Sequence, residues 1–87
     1  MSRNARWTEK EQRKVVWKIV DKELIQKTEK GSAERQGIID EIVDELINDP
    51  DFSARQNAAD PRGTIAQHVR VWIKHLEDKG ERPPIER

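Results

Sequence analysis

Apolar side chains recur along this chain at helical spacing and nowhere alternate as they would in a strand. Three stretches carry the pattern. Val16, Ile19, Val20 and Leu24 form one stripe, widened by Val15, Trp17 and Ile25. Thr8 followed by Glu11 is a capping-box pair at its head, so a first helix is expected from Thr8 to just before Gly31. Ile38, Ile39, Ile42, Val43, Leu46 and Ile47 make the cleanest stripe, with Ser32 as N-cap and Pro50 as the stop. Ile65, Val69, Trp72, Ile73 and Leu76 fall on one face of a third helix that opens at Asp60-Pro61, an N-cap followed by proline at the first helical position. Between the second and third helices, Phe52 is expected to cap the core, and Ser53 with Gln56 predicts a single helical turn within residues 53–60.

This pattern predicts an all-α fold, a three-helix bundle with an extra loop or short helical turn between helices two and three. Residues 7–79 are expected to form one helical domain, with a flexible basic arm at 1–6 and a flexible tail at 80–87. Of 87 residues, only 19 are Leu, Ile, Val or Phe, so the core must be thin. A thin core leaves room for an apolar strip that a second copy covers, and Trp17 and Val71, off the main stripes, are its candidates.

Charge changes the picture locally. Seventeen basic and seventeen acidic residues cancel, which removes net charge as an argument for a polyanionic or membrane partner. The distribution is uneven: residues 1–30 hold nine basic and five acidic side chains, residues 31–61 two and eight, and residues 62–87 six and four. The second helix is acidic on its polar side through Asp40, Glu41, Asp44, Glu45 and Asp49, right to the end where the helix dipole disfavours negative charge, an effect for a nearby cation, a partner or solvent screening to offset.

Little in the chain suits catalysis. Without cysteine there is no thiolate nucleophile, disulfide framework or zinc ribbon. His68 and His75 stand two turns apart rather than at the one-turn spacing of a two-His metal pair, and the four glycines are too scattered for a phosphate loop. No enzyme activity, cofactor or metal is expected. No segment has the apolar length of a signal peptide or membrane span, which points to an intracellular protein, of cytoplasm or nucleus.

The third helix carries the most informative polar face. Opposite its core stripe lie Gln67, Arg70, Val71 and Lys74, a set suited to a DNA major groove: arginine can fork onto guanine, glutamine onto adenine, valine can touch a thymine methyl, and lysine can neutralise phosphate. Arg3, Arg6, Lys10 and Arg62 would clamp the backbone. The competing expectation is a protein-interaction module that sets Asp40, Glu41, Asp44 and Glu45 against a basic protein surface.

A resemblance favours the first. Trp7-Thr8-Glu9-Lys10-Glu11, followed by Val15, Val16, Ile19 and Val20, is similar to the opening of a Myb/SANT-type domain, and Gln67, Arg70, Trp72, His75 and Leu76 look like the end of a Myb recognition helix. The likeness comes with a lengthened second helix, an added connection over 48–61, and Trp17 inside helix one in place of the usual central tryptophan. It implies a homeodomain-like helix-turn-helix, with tryptophans in the core and helix three reading double-stranded DNA as a regulator of transcription. Other SANT members bind histone tails through acidic faces, which keeps the interaction module open.

Overall fold

A computed structural model describes residues 7–79 and 85–86. Its elements are α1 (Glu9–Asp21), α2 (Leu24–Lys27), α3 (Ala33–Ile47), a 3-10 helix (Pro50–Asn57) and α4 (Pro61–Asp78), with no strand among the described residues. The protein is all-α.

α1 starts as its capping box dictates. Thr8 Oγ1 accepts from the Glu11 amide at 3.1 Å, and the Glu11 carboxylate accepts from the Thr8 amide at 2.7 Å. The long first helix expected from the sequence does not form, because the chain breaks after Lys22. Glu23 takes a left-handed conformation, φ 52°, and α2 leaves in a new direction. The break sends Leu24 into the core, fully buried, and brings Thr28 to the buried Arg35. Arg35 donates from Nε to Thr28 Oγ1 at 2.9 Å, from Nη2 to the Thr28 carbonyl at 3.0 Å and from Nη1 to Glu77 at 3.0 Å. Left-handed Gly31, φ 73°, then turns the chain into α3, where Ser32 accepts from the Arg35 amide.

Ile39, Ile42, Val43 and Leu46 of α3 are buried, while Ile38 and Ile47 are packed against the core without being fully covered. The connection to α4 differs from expectation in its start. Asp49, not Ser53, is the cap: its Oδ1 accepts from the Asp51 amide at 2.8 Å, Pro50 opens the 3-10 helix, and Ser53 lies inside it. Gln56 instead donates to the Ile47 carbonyl. The earlier start suits Phe52, whose side chain is fully buried, a burial worth about 1.5–3 kcal/mol.

α4 opens as expected, with Pro61 in its first turn and Asp60 accepting from the Gly63 amide at 3.1 Å. Ile65, Val69, Ile73 and Leu76 close the core against Val15, Val16 and Ile19 of α1. Trp72, expected on the same stripe, is only half-buried. Trp17 does not offer an open apolar strip: its Nε1 donates to the Ile85 carbonyl at 3.0 Å, and Ile85 packs beside it on the core. No helix among the described residues is long and apolar enough to cross a membrane.

Candidate nucleic-acid interface

α4 is held from several sides, and this fixes what its outer face presents. Its buried stripe locks its rotation, Asp60 pins its start, and Arg35 holds Glu77 near its end. On the face left outside, Gln67, Arg70, Val71 and Lys74 are all exposed, and Gln67 and Lys74 each stand three and four residues from the adjacent pair Arg70-Val71, so the four form a single stripe. Val71 is 52% exposed, the one exposed large hydrophobic residue among those described. Arg70 reaches the neutral Gln36 side chain at 3.3 Å, and Lys74 makes no ion pair among the described residues. The stripe therefore carries two cations that no carboxylate among the described residues neutralises.

A groove flanks the stripe on each side. One, of about 610 Å³, runs between the start of α3 and the second half of α4 and is lined in part by Arg70 and Lys74. The other, of about 740 Å³, lies between the first half of α4 and the end of the 3-10 helix, lined in part by Trp7, Asn57, Thr64, Gln67 and Val71.

The clamp residues expected from the sequence are scattered. Arg62 sits in the first turn of α4, exposed but paired with Asp44 at 2.6 Å, so a carboxylate already occupies it. Lys10 is exposed in the first turn of α1. Arg3 and Arg6 lie outside the described residues.

The acidic face of α3 meets cations from within the chain. Lys18 reaches Glu45 at 2.7 Å, and Lys22 reaches Glu45 at 3.0 Å and Glu41 at 3.4 Å. Lys14 sits between Asp49 and Asp51 at 2.7 and 2.8 Å. Hydrogen bonds from Lys18 and then Lys22 hold the Glu45 carboxyl below its usual value, and those to Asp49 and Asp51 raise the Lys14 ammonium. Of the alternatives for the end of this helix, a nearby cation is the one found, and α1 supplies it. Of the four carboxylates proposed for a partner, Asp40 alone makes no ion pair among the described residues, and it accepts instead from Gln36.

One cluster escaped the sequence reading. The Arg55 guanidinium lies 4.0 Å from the Trp7 ring, and the His68 imidazole stacks on Trp7 with centroids 3.8 Å apart and planes 9° from parallel. Trp72 Nε1 donates to His68 Nε2 at 3.2 Å, so that nitrogen is the unprotonated one. Burial drives the His68 pKa down to about 4, with Glu11 pulling the other way and Arg55 reinforcing the fall. His68 is therefore a neutral structural imidazole at neutral pH. Among the described residues no group of three or more His, Asp or Glu side chains is arranged to hold a metal ion.

No protein-family model, curated protein or solved structure matches this chain.

Proposed function

We propose that this chain is a small DNA-binding domain in which α4 enters the major groove. In this reading α1, α3 and α4 are the three helices of a homeodomain-like bundle, and α2 and the 3-10 helix are additions to it. Gln67, Arg70 and Val71 face base edges, and Lys74 neutralises phosphate. The observation that carries the reading is the charge state of the two polar faces. Among the described residues the α4 stripe has no carboxylate on its cations, whereas three of the four acidic α3 positions are already engaged by Lys18, Lys22 and Arg62. The Myb/SANT resemblance of Trp7–Glu11 and of Gln67, Arg70, Trp72, His75 and Leu76 supports the same assignment, as part of this proposal.

The test is fluorescence anisotropy of a labelled mixed-sequence duplex at about 50 and 200 mM salt, the range over which phosphate contacts weaken steeply. Micromolar binding at low salt that falls sharply at high salt is expected. Arg70→Glu with Lys74→Glu should abolish it in a protein whose circular dichroism is unchanged. Undiminished binding by that variant, or no binding by the parent at low salt, rejects the assignment. In the second case, neutralising Asp40, Asp44 and Glu45 becomes the informative variant, because the acidic α3 face is then the remaining candidate.

A further inference from the structure

The groove between the start of α3 and the second half of α4 has features that DNA does not use. Ile39 and Ile73, each 4% exposed, form its floor, and Ala33 lines it beside them. Lys30, Arg70 and Lys74 stand around it, all three exposed, and their aliphatic stems extend the apolar lining while their charges remain in water. Among the described residues Glu77 is the one carboxylate in the lining, and it is already committed, to Arg35 at 3.0 Å and to Lys30 at 3.9 Å. The result is an apolar trough with an unbalanced cationic margin.

We infer that this groove docks an acidic peptide segment carrying an apolar anchor residue, which sets its side chain against Ile39 and Ile73 and its carboxylates against Lys30, Arg70 and Lys74. Charge complementarity chooses the sign of the partner, and the apolar floor chooses its kind. A phosphodiester backbone would satisfy the cations and leave in water the apolar walls, Ala33 and the stems of Lys30, Arg70 and Lys74 above the Ile39–Ile73 floor, whereas an anchored acidic segment satisfies both. A second copy of this chain is a poor occupant. Its one exposed large hydrophobic residue among those described is Val71, which lies between Arg70 and Lys74 and would bring cations to a cationic margin. The inference does not depend on DNA binding. Where both hold, Arg70 and Lys74 are shared, and peptide and duplex compete.

The probe is a short fluorescein-labelled peptide with a central Phe-Leu pair flanked by aspartates and glutamates, together with a twin in which serines replace Phe-Leu. Binding is followed by anisotropy, and its location by backbone amide shifts of the isotope-labelled full chain. The expected result is saturable binding that moves the amides of Ala33, Ile39 and Ile73. The serine twin should bind about tenfold or more weakly, the worth of one buried anchor side chain. Lys30→Glu, an exposed change off the α4 stripe, should weaken the Phe-Leu peptide while leaving the amide spectrum folded. Equal binding of the two peptides, shifts confined to other surfaces, indifference to Lys30→Glu, or no binding would each overturn the inference. None of these bears on the duplex titration, so the two proposals fail separately.

Discussion

Arg55 grips Glu11 with both prongs of its guanidinium, Nε to one carboxylate oxygen and Nη2 to the other, each at 2.8 Å and across 44 positions of sequence. Glu11 is 1% exposed and Arg55 8%. The same carboxylate closes the α1 capping box, so one side chain serves both the start of α1 and the attachment of the 3-10 helix. Burial alone would raise the Glu11 pKa. The Arg55 hydrogen bond, the Thr8 amide and the Arg55 charge together outweigh it and leave the carboxyl below its usual value.

Arg55→Met should therefore cost about 3–5 kcal/mol, the usual loss when a buried pair is broken from one side. The cost should shrink in acid, because protonating Glu11 removes the stranded charge. Urea unfolding of parent and variant at neutral pH and below pH 4.5, the ordinary carboxyl value, reads both effects. A loss under about 1 kcal/mol, or one that does not depend on pH, would mean the pair contributes little.

His68 sets a second acid dependence. Its folded pKa, about 4, lies below the ordinary 6.5, so the fold prefers the neutral ring. Its contribution is complete above pH 6.5 and is lost progressively as the pH falls from there towards 4. Glu11 acts in the same direction further down, because a carboxyl depressed in the fold loses its contribution as the pH drops below its unfolded value. Following the His68 ring protons by NMR should show no titration between pH 8 and 5.5. A midpoint near 6.5 would contradict the buried, Trp72-bonded imidazole.

Glu23 holds a left-handed backbone that costs a residue with a side chain roughly 1–2 kcal/mol. Glu23→Gly removes that cost and restores part of it through the greater freedom of the unfolded chain, leaving a net gain of about 0.5 kcal/mol. The exposed contact of Glu23 with Lys27, 3.4 Å, is too weak to reverse the sign. A small rise in melting temperature is the expected reading, and a clear fall would show that Glu23 is relaxed where it stands.

Asp44 holds Arg62 at 2.6 Å, with both side chains exposed. If α4 binds DNA, Asp44→Asn should release a cation towards phosphate, tightening duplex binding and steepening its salt dependence by about one unit of log-log slope. Weaker duplex binding by this variant would be inconsistent with Arg62 serving as a backbone clamp.

What could be read in advance was what the chain decides locally. Thr8 with Glu11, Ser32, and Asp60-Pro61 begin helices in the structure because a cap acts on amides two or three positions away, and spacing alone reveals it. The α4 stripe was equally legible, since a buried face at helical period fixes the opposite one. The break at Glu23 was not, because no glycine, proline or asparagine marks it; the burial of Leu24 and Thr28 forces it from outside the segment. Nor were Arg55 and Arg35, which look like surface residues until Glu11 and Glu77 meet them from 44 and 42 positions away. The acidic α3 face left a cation, a partner and solvent screening open, and only the packing of α1 against α3 says that Lys14, Lys18 and Lys22 are the cations.

The segment joining α3 to α4 invites shortening, since it is longer than a tight helix-helix turn requires. Yet it contributes Phe52 to the core and Arg55 to Glu11, two anchors that both border Trp7. Trimming it to a minimal turn would remove a core side chain and strand a carboxylate in one step. Insertions and deletions should therefore be tolerated at the exposed Lys30-Gly31 turn far better than here, and a chain of the same ancestry is expected to keep this connection at nearly constant length.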